Sequence, residues 1–429
     1  MDIEILDKID WSFQGCKTQY FTHTFHPYPA RFIPQIPSTF IKLFTEEGDT
    51  VFDPMCGCGT TMVEALLHNR NAIGNDLNPL AALISKVKTT LISEEEFRYF
   101  NEKLSSATGM EGIRKFLWEL KEEGQQKLYD FGRVALSASI WSGKARNIET
   151  VFRRKVLSMQ REMLAMAKAI KLVPEVRILC QDARKLEVQS SSVDLIITSP
   201  PYVNALDYHR MHKESMLWLD MDFSTFKKNE IGKHSRFSGN RFRLLSCYLG
   251  DMLRCMIEMN RVLKEGKFCV IVIGDSSVEH ELIESHKFLA SMASKIGFKP
   301  IKTLFREIDQ RKKYTSPAIG KINEEYILVL QKVEESLSSA DEDGFIVEVV
   351  KEEMLKFKDQ VSHPKNTAKL DAAIEKLSLD IKRPPCGGER GGSHEKRKGW
   401  TGWLLIIIAA FLQNYNILIL HSPRGHPFV

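Results

Sequence analysis

Residues 193–202, VDLIITSPPY, join an apolar, β-branched run to Ser199, Pro200, Pro201 and Tyr202. The run reads as a buried strand, and two consecutive prolines fix the backbone just past its end. A turn of that stiffness can aim the Pro200 carbonyl and the Ser199 hydroxyl at one point. Two acceptors so placed suit an exocyclic amine on an aromatic ring, whose lone pair is delocalised and poorly nucleophilic. Accepting both N–H groups draws the nitrogen toward a tetrahedral shape and frees the lone pair for in-line displacement on an electrophile. Tyr202 is placed to stack on the ring that carries the amine.

A second group of residues suits the electrophile's carrier. Residues 50–77, TVFDPM, CGCGTT, MVEALLHNR and NAIGNDL, read as strand, turn, helix and strand. The first strand ends at Asp53, and Pro54, Cys56, Gly57, Gly59 and Thr60 make the turn. Glycine there lets a ligand approach backbone N–H groups at a helix N-terminus, which a Cβ would block. Asp76 ends the next strand and can accept both hydroxyls of a ribose, while Asp182, after VRILCQ, can accept an adenine amino group. Three acidic strand ends along one crevice predict an adenosine-containing ligand. A nicotinamide dinucleotide is disfavoured, because GCGTTM lacks the third glycine of that fingerprint.

With these residues in view, FDPMCGCGTT resembles the first motif of the amino-methyltransferases, usually DPFxGSGTT, with Cys58 in place of the serine. Ser199-Pro200-Pro201-Tyr202 resembles their catalytic motif, and FHPYPARF, through His26, Pro27, Tyr28, Pro29 and Arg31, is similar to the segment that precedes the first motif. The resemblance covers roughly residues 20–332. It implies S-adenosyl-L-methionine as methyl donor, its methionine part lying over the glycine turn, and adds His26, Pro27 and Arg31 to the expected cofactor contacts. It implies an α/β, class I, Rossmann-like fold: a mainly parallel seven-stranded sheet with a terminal antiparallel hairpin. Serine at 199 implies cytosine N4 as the acceptor, with adenine N6 and an RNA amine as alternatives. The expected substrate is DNA read in a specific sequence with the target base flipped out, and the expected partner is a cognate restriction endonuclease.

Other chemistries are excluded on the residues themselves. Methylation of a cytosine ring carbon needs a thiolate after a proline, and the only Pro-Cys pair is Pro385-Cys386, far from the strand ends. The eight cysteines show no CxxC spacing, so no metal is expected, and a reducing cytoplasm fits them. The N-terminal MDIEILDKIDWSF lacks a basic-then-apolar layout, which gives no sign of a secretory signal. A formal charge of +5 on 429 residues is too mild to name a partner.

Positioning these residues takes a sheet. Further strand-like runs fall at 176–182, 193–198, 267–274, 299–305 and 324–331, the last two poised to pair antiparallel. Residues 80–173 are too long for one crossover and read as a helical insertion. Its basic residues Lys144, Arg146, Arg153, Arg154 and Lys155 are expected mainly on solvated helix faces. Residues 203–243 follow the catalytic turn and carry Lys227, Lys228, Lys233, Arg236, Arg241 and Arg243. Together with Arg311, Lys312 and Lys313 of a later loop, these are the expected phosphate contacts. The catalytic domain is expected to end at 332, with 333–399 a linker and amphipathic helices, partly disordered, and 400–429 a hydrophobic tail. The tail's uninterrupted apolar run, Trp403 to Leu412, is too short to span a bilayer, so membrane association is not the expected state.

Overall fold

The seven apolar runs pair into one sheet because each can be covered on both faces. In the computed structural model, which describes residues 3–141, 147–204, 206–233, 237, 239–308, 324–336 and 341–381, the chain begins with helix α1 (Gln35–Phe44), strand β1 (Thr50–Asp53), α2 (Thr60–Leu67), β2 (Asn71–Asn75) and α3 (Pro79–Thr89). Four helices follow: α4 (Glu94–Ser105), α5 (Gly109–Glu122), α6 (Gln126–Trp141) and α7 (Ile148–Ala169). The chain returns to the sheet with β3 (Val176–Leu179) and β4 (Val193–Thr198), then passes through α8 (Tyr208–Trp218), α9 (Ser224–Asn229) and α10 (Phe242–Val262). Next come β5 (Leu263–Ile273), the small hairpin β6 (Ser276–Val278) and β7 (Glu281–Ile283), α11 (Ser285–Ala293), β8 (Phe298–Glu307) and β9 (Glu324–Lys332). The described chain closes with α12 (Glu342–Lys358), α13 (Pro364–Glu375) and α14 (Leu377–Ile381).

Strand order is β3-β2-β1-β4-β5-β9-β8. The first five strands are parallel, while β9 runs antiparallel between β5 and β8. This is the class I arrangement, and the final hairpin inserts its second strand into the sheet instead of appending it at the edge. Alternate residues of β4 serve opposite faces: Leu195 and Ile197 join the layer formed with α1 and α2, whereas Ile196 joins the layer formed with α10 and α11. Two-sided burial explains why the sequence shows continuous apolar runs without alternation. The order reverses between β1 and β4, where the chain leaves in opposite directions and a crevice opens at the carboxyl ends.

The described residues within 80–173 form the rest of α3 and helices α4–α7, whose apolar faces make a separate cluster that includes Phe100, Phe131, Phe152 and Met163. The boundary expected at 332 needs correction. Helices α12–α14 bury Ile346, Val350, Met354, Leu370, Leu377 and Ile381 in the same core as α10 and β5. Ile346, Val350 and Met354 recur at helical spacing, so one face of α12 is part of the domain's core. Among the described residues no helix is long and apolar enough to cross a membrane; residues 400–429 lie outside them.

Adjacent positions of α12 test this packing. Met354 is fully buried and Leu355 is 46% exposed. Met354→Ala should cost about 2–5 kcal/mol of unfolding free energy, and Leu355→Ala no more than about 0.5 kcal/mol. Urea denaturation of the full chain measures both.

Candidate active site

The turn after β1 is shaped by two left-handed glycines, Gly57 at φ +51° and Gly59 at φ +77°, a region that other residues enter at a cost. A Cβ on Gly59 would lie 3.0 Å from the Ser85 Cα, and one on Gly57 3.3 Å from the Tyr28 ring. Gly59 therefore needs glycine for space as well as conformation, and Gly57 for its conformation, with the ring in tight contact. Asp53 ends β1 wholly buried below this turn, accepting the Thr61 hydroxyl at 2.8 Å and the Met55 N–H at 3.2 Å. Burial pushes its carboxyl up to about 7. Its place is under the turn and not on the cleft wall, so it shapes the cradle without facing a ligand.

At the end of β2, Asn75 ties three strand ends together. Its amide donates to the Pro54 and Gln181 carbonyls at 3.0 Å each, and its oxygen accepts the Gln181 N–H at 2.9 Å. Asp76 comes next and accepts the N–H groups of Gly57 and Asn78, both at 2.8 Å, which joins it to the glycine turn. Burial raises its carboxyl to about 6. Asn78 caps α3 through the Leu80 N–H and holds buried His212 of α8 at 2.7 Å. Asp182 lies past the end of β3, and Arg184 engages both of its oxygens, at 2.8 and 2.6 Å.

Residues 20–32 form a strap over the turn. Buried Glu64 of α2 anchors it through the Tyr20 hydroxyl at 2.7 Å and His23 Nε2 at 2.8 Å. The helical insertion braces it from the other side: Lys155 donates to the Thr24 carbonyl at 2.9 Å, and His26 Nε2 meets the Ser137 hydroxyl at 2.8 Å. Arg31 donates to the His23 carbonyl at 2.7 Å. His26 is buried in this bracing, which lowers its imidazole to about 3 through desolvation.

One cleft gathers these parts, a space of ≈ 850 Å³ that is continuous with open solvent. Its walls include Arg31, Pro54, Cys56, Gly57, Thr60, Asp76, Asp182, Ser199 and Pro201 from the sequence-predicted set. His26, Pro27, Asp53, Gly59, Pro200 and Tyr202 are not on its walls. Tyr202 donates its hydroxyl to Glu325 at 2.8 Å, and Glu325 also accepts from buried Arg306 at 2.7 Å. Tyr208, which follows the catalytic turn closely enough in sequence to be expected near the pocket, opens α8 on the cleft wall, whereas sequence reasoning missed Phe226, Asn229, Glu230 and Ile231 from α9 and its end. Glu230 accepts the His209 Nδ1 at 2.8 Å and backbone N–H groups at the start of α8, and burial raises it to about 7. The spacing of 226, 229 and 230 on a short helix was the available signal.

The basic residues divide. Lys227 and Lys228 are exposed on the outer side of α9, and Lys233 donates to the Lys227 carbonyl at 3.2 Å. Arg243 is not free for phosphate, because buried Asp380 of α14 takes its guanidinium in two bonds of 2.6 and 2.8 Å. Arg241 donates to Asn204 at 2.5 Å. Arg236, Arg311, Lys312 and Lys313 lie outside the described residues.

Comparison with known proteins fits this layout. A family model described as DNA methylase, of the N6/N4 type, matches residues 6–86 and 193–402, stepping over most of the helical insertion. The chain is 37% identical over 129 residues to the Type II methyltransferase M.MvaI of Kocuria varians, covering 28% of this chain and 27% of that protein. It is 36% identical over 104 residues to the Type II methyltransferase M.BglI of Bacillus subtilis, covering 24% of this chain and 30% of that protein. The matches thus span under a third of either relative's length. Among solved structures, a SAM-dependent methyltransferase from Methanosarcina mazei aligns with a TM-score of 0.35 and 10% identity, over 69% of this chain and 98% of that one. An rRNA methyltransferase, aviRa from Streptomyces viridochromogenes, aligns at 0.32 and 11%, over 71% and 87%. The fold assignment rests on the strand order itself, and the family on a model that matches more than half of the chain: this protein belongs to the DNA methylase family of N6/N4 amino-methyltransferases.

Proposed function

We propose that this protein transfers a methyl group from S-adenosyl-L-methionine to the exocyclic N4 amine of cytosine in a specific DNA sequence. The observation that carries the reading is one cleft walled by both the glycine turn and Ser199 with Pro201. A side-chain-free cradle at Gly57, with Asp76 beside it, fits the methionine and ribose of the donor. When bound, the donor supplies an activated methyl group on sulfur.

Ser199 and the Pro200 carbonyl accept the amine's two N–H groups and direct its lone pair into the cleft. Tyr202, anchored through its hydroxyl to Glu325, is the aromatic beyond Pro201 that a flipped base meets. The methylated ammonium loses its proton to solvent, so no strong base is required. Segment 203–243 has two jobs in this reading. The inner side of α8 and α9 closes the cleft, and Lys227 and Lys228 on the outer side contact phosphates. Cytosine rests on Ser199, and the match to the DNA methylase family supports DNA as the substrate.

Incubation with labelled S-adenosylmethionine and DNA, followed by nucleoside analysis, should yield N4-methylcytosine. N6-methyladenine would overturn the cytosine assignment, and label found only in RNA would overturn DNA. Tyr202→Ala should lower the turnover rate about a hundredfold or more with little change in the affinity for S-adenosylhomocysteine by calorimetry. Equal loss of both would refute the proposed division of labour.

Gly59→Ala should weaken cofactor binding at least about tenfold through the left-handed backbone and the Ser85 contact. Asp76 accepts best when ionised, and its carboxyl titrates at about 6. Affinity should therefore be full above that pH and decline as pH falls through it. Asp76→Asn should cost about tenfold or more at pH 8 and far less at pH 5, read from binding isotherms at the two pH values.

A further inference from the structure

Two cleft-lining tyrosines have no role in the reading above. The rings of Tyr28 and Tyr208 lie nearly parallel, with centroids 6.3 Å apart and 23° between planes. Tyr28 rests against Gly57, its Cε1 3.3 Å from where a Cβ would be. Tyr208 opens α8 within electrostatic reach of both Asp76 and Tyr202, so it stands where the donor's end of the cleft meets the acceptor's end.

The pair is held from behind. His212, fully buried, packs 4.8 Å from the Tyr28 ring and 6.3 Å from that of Tyr208. Asn78 fixes His212 at 2.7 Å, and Trp141 backs it at 5.3 Å. Burial, followed by the charge of Asp76, pushes both phenols well above their ordinary range. Neutral phenol rings, not phenolates, thus line the cleft.

Around these faces the cleft carries the carboxylates Asp76 and Glu230, while its one described arginine, Arg31, is engaged by the His23 carbonyl. Ring faces and carboxylates gathered in one cleft favour a compact cation. They offer nothing comparable to a neutral thioether of nearly the same shape.

We infer that Tyr28 and Tyr208 form an aromatic wall that recognises the positive sulfonium of the methyl donor. The wall holds S-adenosylmethionine in preference to the uncharged S-adenosylhomocysteine left after transfer. This inference rests on the cleft being the donor's site, and it assigns product release to the loss of charge that transfer itself causes. Once the methyl group leaves, the sulfur keeps the bonding electron pair and becomes neutral, and the wall's attraction for it ends.

The test replaces residue 208 in the full-length protein with phenylalanine and then with di- and trifluorophenylalanine, which keep the ring's shape while draining its negative face. Calorimetry gives the affinity for both ligands at each step. Fluorination should weaken S-adenosylmethionine binding progressively, to roughly tenfold, and change S-adenosylhomocysteine binding by less than about twofold. Tyr208→Leu should abolish the preference between the ligands, and Tyr208→Phe should keep it. Equal weakening of both ligands, or a preference unmoved across the fluorinated series, would overturn the wall. Failure of the unaltered protein to bind either ligand would overturn the placement of the donor in this cleft.

Discussion

There is no room for a methyl group at Gly59. The Ser85 Cα on α3 already stands 3.0 Å from where it would go, and the Ser85 hydroxyl donates to the Gly57 carbonyl at 2.9 Å. That contact sets the distance between the β1 turn and α3. The position of α3 in turn places Asn78, His212 and the start of α8. The same turn is held at neighbouring residues, Asp53 accepting the Met55 N–H, Asp76 the Gly57 N–H, and the Tyr28 ring lying against Gly57. The cleft is built outward from a place where side chains are forbidden.

Parts that look peripheral in the chain turn out to support this centre. The helical insertion contributes Ser137 and Lys155, which hold the strap at His26 and Thr24. Arg153, one of its basic residues, is spent on Glu149 and on the Leu104 and Ala107 carbonyls. Of the described residues in that charge run, Arg153 and Lys155 are thus engaged within the protein, and Arg154 lies on the solvated face expected of it. At the other end of the chain, α12–α14 cover α10, and the Arg243–Asp380 bridge fastens them to it.

The strands were legible because two-sided burial writes itself as continuous apolar runs, and β4 matches its predicted limits. The glycines were legible because turn geometry leaves few substitutes. Less legible was anything decided by what folds against what. Asp53 and Asp76 look alike as acidic strand ends, yet one lies under the turn and the other on the cleft wall. Arg243 reads as one more cation in a basic stretch until Asp380 arrives from far along the chain. The linker-like composition after 332 masked an α12 face whose partner, α10, is remote in sequence. Glu230 carried no motif, and only the fold of α9 against the cleft brings it to the wall.

The strap's anchors are all made within the folded chain: Tyr20 and His23 to Glu64, Thr24 to Lys155, His26 to Ser137. None waits for a ligand. The conformational entropy of ordering these residues is therefore lost during folding and is absent from the association step. A small molecule entering the cleft meets a strap that is already arranged, and the cost that remains is its own loss of freedom and hydration on binding.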